Sequence, residues 1–138
     1  MADFKLKKIS WLRRRFIRSA SLQNLNDWTD VYEDLKEQIL TSSAFQLVGH
    51  KGIIEINSTS GTAHVLLEVV GVPKAGFDSR DIEPQDVLVF DHPENSFSVD
   101  FLTLKKLATA IMKGIPGPIS DTYHIVFDGL NLSLHFFI

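Results

Sequence analysis

Met1–Arg18 reads MADFKLKKISWLRRRFIR, and how this stretch folds decides the architecture of the chain. Lys5, Lys7, Lys8, Arg13, Arg14, Arg15 and Arg18 are seven of the fourteen basic residues of the protein, set against one acid, Asp3. The remaining 120 residues hold the other seven bases and sixteen of the seventeen acids. A formal net charge of −3 therefore conceals a cationic arm joined to an acidic body. On a helical projection Leu6, Ile9, Leu12, Phe16, Ile17 and Ala20 share one arc, with Lys7, Arg14, Arg15, Arg18 and Trp11 facing away from it. Lys5 and Arg13 intrude on the apolar side. The pattern predicts a basic amphipathic helix over 1–22.

Such a helix has two readings. It can dock its apolar stripe on the core as an ordinary surface helix. It can also lie on an anionic surface with Trp11 and Phe16 inserted at headgroup level, its basic residues reaching phosphates on their alkyl stems. The second reading makes Lys5, Lys7, Lys8, Trp11, Arg13, Arg14, Arg15, Phe16 and Arg18 a membrane- or polyanion-binding set. Ser21, with Arg18 three residues before it, has the spacing of a possible phosphosite, although a helix-capping serine is the better explanation.

Beyond the arm, 23–138 reads as one compact acidic α+β domain. Trp28, Val31, Tyr32, Leu35 and Ile39 follow helical spacing over 26–40, with Asp30, Glu33, Asp34 and Glu37 on the opposite face. That acidic face is either solvated or holds the basic arm. From Ala44 the period shortens to two: AFQLV, GIIEIN and AHVLLEVV predict three strands separated by turns. Gly71 to Asp86 loses periodicity and reads as a mobile or contact loop for a protein partner. Val87–Phe90 and Phe97–Val99 flank a turn at Asp91–Asn95, and Asp100 caps a helix that Gly114 stops. Tyr123–Phe127, Asp128-Gly129 and Leu130–Phe137 form a hairpin, with Phe127 placed opposite Leu130. The expected fold is α+β: two N-terminal helices, a mainly antiparallel sheet, and one helix before a C-terminal hairpin.

Chemistry is sparse. The absence of cysteine removes disulfides, thiolate metal sites and cysteine nucleophiles. His124 and His135 fall on one face of the final hairpin as diagonal neighbours, but no acidic third ligand is identifiable beside them. Asp91-His92, Asp100, His50 and His64 complete no catalytic pattern, and Gly71 and Gly76 make no phosphate loop. Phe136-Phe137-Ile138 reads as the end of a strand rather than a free tail. No metal or cofactor is expected, and the chain reads as a non-enzyme.

The function expected from these residues is an assembly or adaptor protein that self-associates as a homo-oligomer and attaches through its arm to the inner leaflet of an anionic membrane. In physical design it looks like a viral matrix protein, by analogy of small size, basic arm and multivalency. The alternative is a nucleic-acid-associated protein using the same arm on phosphates; a small enzyme with a His/Asp site is a third reading. An intracellular location is expected, in the cytoplasm or on the cytoplasmic face of a membrane. The arginine- and serine-rich start also admits mitochondrial import.

Overall fold

A computed structural model describes residues 4–42, 45–49, 51–71, 76–93 and 100–138. The elements run β1 (Lys7–Trp11), β2 (Arg14–Arg18), a 3-10 turn (Leu25–Asp27), α1 (Trp28–Thr41), β3 (Phe45–Leu47), β4 (Gly52–Asn57), β5 (Ala63–Gly71), β6 (Asp78–Ile82), β7 (Gln85–Asp91), α2 (Phe101–Gly114), β8 (Thr122–Asp128) and β9 (Asn131–Phe137). The class is α+β with an antiparallel nine-stranded sheet, but the first of the two expected N-terminal helices is absent. The arm is two strands.

The reason lies in the partner segment. β1 pairs with β7 from Lys7↔Val89 to Trp11↔Gln85, and β2 pairs with β6 from Arg14↔Ile82 to Arg18↔Asp78. The register is the same throughout, so the arm and 78–91 form one antiparallel ladder, bent at Leu12-Arg13 against Glu83-Pro84. Pro84 has no N–H to give to a ladder and sits where the pairing breaks. DSRDI, expected to be part of a loop, is the strand that captures β2. β2 also pairs with β5, followed in turn by β4, β8, β9 and β7. Because β7 runs on into β6, which returns to β2, the sheet closes on itself.

Strand alternation then gives the sheet two faces. Outside, α2 packs Leu104, Ala108 and Ile111 against Ile54, Ile125 and Leu134, and α1 packs Leu35 and Ile39 against Ile17, Leu67 and Val69. Trp28 stacks on Phe127 with ring centroids 4.5 Å apart. It crosses Gly52 so closely that a Cβ there would sit 2.7 Å from the indole ring. Inside the ring lie Trp11, Phe16, Ile53, Leu66, Val87, Val89, Val126 and Phe137. The Asp100 carboxylate caps α2 through the Thr103 N–H at 2.8 Å, and Asn24, not Asp27, caps the turn before α1.

The final hairpin is shifted from the expected register: Phe127 faces Leu132, and Asp128 faces Asn131, which leaves Gly129 and Leu130 as the turn. A shift of two residues preserves the faces, so the core side chains stand as read, apart from Leu130, which is exposed. Phe136 and Phe137 are both buried strand residues. The turn and strand expected over 94–99 lie outside the described residues, as does His50.

The strand reading reverses the roles of two neighbours. The helical arc needs Leu12 and not Trp11, whereas in the structure Leu12 is 82% exposed and Trp11 only 6%. Trp11→Ala should lower the unfolding free energy by about 3–5 kcal/mol in urea denaturation, while Leu12→Ala should change it by less than about 0.5 kcal/mol; the opposite order would restore the helix.

Candidate ligand-binding groove

The arm does not present its charge to solvent as an array. Lys7 pairs with Asp91 at 2.9 Å, Lys8 with Asp86 at 3.3 Å, Arg13 with Asp81 at 2.6 Å, and Arg14 with Glu68 at 2.5 Å. Arg15 meets Asp81 at 2.7 Å, directly across the ladder, and Arg18 likewise meets Asp78 at 2.8 Å. Hydrogen bonds from Arg15, reinforced by Arg13, hold the Asp81 carboxyl down at about 2. Lys5 is exposed. The acids that receive the arm come from β5, β6, β7 and the β6–β7 bend, not from the acidic face of α1.

Trp11 and Phe16, read as membrane-inserting, point into the ring of strands and are buried. Trp11 lies within 5.9 Å of both the His124 and His135 rings, and the Arg14 guanidinium covers it at 4.1 Å. The membrane and matrix readings fail on this point, because the apolar set meant for lipid is committed to the protein's own interior. Among the described residues no helix is long and apolar enough to cross a membrane.

The expected histidine pair is present, but in a setting the sequence reading missed. His124 and His135 are directly opposite rather than diagonal, and Glu55 lies directly opposite His124 on the next strand. An acid in the middle of GIIEIN, at the same parity as Ile53, was the signal for an inward carboxylate. His124 donates from Nε2 to Glu55 Oε2 at 2.8 Å, and Arg80 Nε approaches the same oxygen at 3.1 Å. Burial pushes the His124 pKa down, so the imidazole is neutral; Glu55 stays ionised below the usual carboxylate value because His124 and Arg80 outweigh the burial that opposes it. His135, bonded through Nε2 to Ser133 Oγ at 3.0 Å, is pushed down by burial to about 3. No group of three metal-ligating side chains occurs among the described residues. This cluster reads as interior electrostatics packed against Trp11.

A smaller cleft of about 480 Å³ lies at the mouth of the ring, where Asp91, His92, Ser133 and His135 contribute to its lining. Asp100 remains a helix cap, away from these residues.

The larger cavity lies outside the ring, where the chain leaves β2 and enters α1. It is a groove of about 880 Å³. Its apolar surface comes from Ile17, Leu22, Val31, Leu35 and Phe77, its acids are Asp27, Asp30, Asp34 and Asp78, and Arg18 is its one base among the described residues. Arg18 is already spent on Asp78, so three carboxylates remain uncompensated. Each element supplies its part for a local reason. The acidic face of α1 turns Asp30 and Asp34 away from Ile39, which is buried against the sheet, and Asp27 ends the 3-10 turn just before the helix. Phe77 is fixed edge-on to Phe45 with centroids 5.2 Å apart. The segment after β2 is held to β5 by the Ser19 N–H to Val65 O and the Leu22 N–H to Ala63 O, at 2.9 and 2.7 Å. Ser21 is an exposed lining residue of this groove. His64 reaches it from β5.

The interior cluster sets an acid response. A histidine whose folded pKa is depressed binds its proton more readily in the unfolded chain, so stability is complete above the unfolded value of 6.5 and falls as pH drops below it. His135 and His124 act in the same sense. Between pH 6.5 and about 5, the His135 contribution should appear in urea denaturation as a loss approaching about 1.4 kcal/mol per pH unit, which His135→Gln should remove.

No protein-family model matches this sequence, and no curated protein does. Similarity is found with solved structures. A chain of the EcmrR–DNA complex superposes with a TM-score of 0.71 at 6% identity, covering 96% of this chain and 56% of that one. The protein thus spans little more than half the length of that chain. A candidate bacterial transcription regulation protein from Staphylococcus aureus gives 0.60 at 12% identity, with 98% of both chains covered. SAV2435, solved bound to tetraphenylphosphonium, gives 0.60 at 11% identity and covers 97% of this chain and 93% of its own. At these identities the likeness is one of fold.

Proposed function

We propose that this protein is a non-enzymatic ligand-sensing domain of a transcription-regulating system in the cytoplasm, and that its groove takes a small organic cation with an apolar body. The observation that carries this reading is the groove itself, about 880 Å³ of largely apolar wall with four carboxylates facing one already-paired guanidinium. Ligand sites of this size are mostly apolar, with a few placed polar groups that fix orientation and specificity. Low-dielectric walls strengthen the attraction of the carboxylates for a cation. The likeness of fold to a chain of a DNA complex, to a transcription regulation protein and to SAV2435, solved with a lipophilic cation, supports the same reading.

Association with nucleic acid, in this reading, is indirect. The cations of the arm face carboxylates across the sheet, so little of their charge is left for phosphates, and the DNA contacts belong to another domain or subunit of the system. A chain with this distribution of charge should not retard duplex DNA in a gel-shift assay at physiological salt. Retardation with a steep salt dependence would instead return the arm to phosphate binding.

The groove is tested by calorimetric titration with tetraphenylphosphonium and with benzyltrimethylammonium. Binding is expected, and Asp30→Asn and Asp34→Asn should each weaken it by about five-fold, the loss of one nearby charge at a partly solvated site. Absence of binding, or binding indifferent to both substitutions, would overturn the assignment.

A further inference from the structure

We infer that the cleft at the mouth of the ring is a second small-molecule site, and that it takes a zwitterion of the α-amino acid class with an apolar side chain. The site is separate from the groove beside α1 and does not depend on how that groove is read.

Strand register builds the cleft from successive rows of inward-facing residues. In the deepest row Glu55, His124 and His135 stand opposite one another, followed by Val89 and Lys7. Two residues nearer the opening come Ile53, Val126, Ser133 and Asp91. The last inward positions are Lys51, one step beyond Gly52↔Phe127, and then Asp128 opposite Asn131. The cleft of about 480 Å³ runs over these rows, and Ile9, Val89 and Val126 give it an apolar wall.

The charges along this cleft fall into two pairs. Lys7 and Asp91 neutralise each other at 2.9 Å. Lys51 and Asp128 stand side by side on adjacent strands and line the cleft, yet neither has an ion-pair partner among the described residues. Burial chiefly lowers the proton affinity of His135; Lys51 lowers it further and Asp91 raises it, so both charges act into the cleft. A simple cation drawn to Asp128 meets Lys51, and a simple anion drawn to Lys51 meets Asp128. A molecule with an ammonium and a carboxylate on one carbon gains from both, across the roughly 5 Å that separates neighbouring strands. Its side chain then lies against Ile9, Val89 and Val126, and burial of that apolar surface adds affinity that exposed ion pairs alone do not give. The volume is near the lower end of the range for ligand pockets and suits a molecule of this size.

The test is an NMR titration of the full chain at neutral pH with L-leucine and with two analogues that each lack one charge, L-leucinamide and isocaproate. L-Leucine should bind with a millimolar or tighter Kd and shift the amide signals of Val126, Ser133 and His135. Each analogue should bind about ten-fold more weakly, the loss of one charge-assisted hydrogen bond. Lys51→Met should weaken leucine by a similar factor and leave leucinamide unchanged, whereas Asp128→Asn should weaken leucine and leave isocaproate unchanged. Both positions are exposed, and asparagine before Gly129 suits the turn, so the fold tolerates either substitution. Absence of leucine binding, equal affinities for the three compounds, or a leucine affinity indifferent to both substitutions would overturn the inference, and each of these outcomes leaves the cation groove to its own test.

Discussion

The structure depends on the bent ladder between the arm and residues 78–91. Without it the sheet is an open, twisted array whose inner face, from Ile53 and Leu66 to Val126 and Phe137, would meet water. With it, β7 passes into β6 and back to β2, and the row of strands becomes a ring. The backbone ladder and the burial of Trp11 and Phe16 supply the stability. The ion pairs along the ribbon are largely exposed, and such pairs contribute little singly. Their role is register. Ser10–Asp86, Arg15–Asp81 and Arg18–Asp78 are directly opposed pairs that also bond through their side chains. A one-residue slip would separate all three and turn Trp11 out of the ring.

Closing the ring has a consequence for its centre. The sequence places Glu55, His124, His135 and Arg80 on inward-facing positions, where a lone charge is costly to desolvate. The structure meets that cost by convergence: a neutral His124 donates to Glu55, and Arg80 stands beside the same oxygen. Removal of one member would leave another unbalanced, so the cluster favours one arrangement of the neighbouring strands β4, β8 and β9 with β6 across the ring.

The groove sits where the ring ends. Arg18 and Asp78 form the last rung of the β2–β6 ladder and also belong to the groove lining. The segment that carries Ser19 and Leu22 is both the continuation of β2 along β5 and a wall of the cavity. The element that closes the fold therefore builds one side of the site, and α1 brings the opposing carboxylates. The same segment that suggests a free cationic arm on paper is, once folded, the support for an anionic groove.

Sequence alone determined the parts whose cause is local. Helix α1 follows from apolar residues at helical spacing, α2 from a similar stripe between Asp100 and Gly114, and the final hairpin from Asp-Gly between alternating runs. The strands β3, β4 and β5 follow from β-branched runs between turns. The acidic face of α1 was also legible, and it became one wall of the groove. The arm was not, because its apolar residues fit two periods: Ile9, Leu12 and Phe16 fall on a helical face, while Ile9, Trp11 and Phe16 fall on one face of a strand broken at Leu12-Arg13. Only the misplaced Lys5 and Arg13 argued against the helix. The choice was made by β5, β6 and β7, whose backbone groups and carboxylates lie about fifty residues away or more. The same distance hid the meeting of Glu55 with His124, and the placing of Asp30 and Asp34 beside the end of β2 followed only once β2 was a strand. Local periodicity writes elements into a sequence; pairing between distant strands is a property of the folded chain, and here it decided what the arm is and where the site lies.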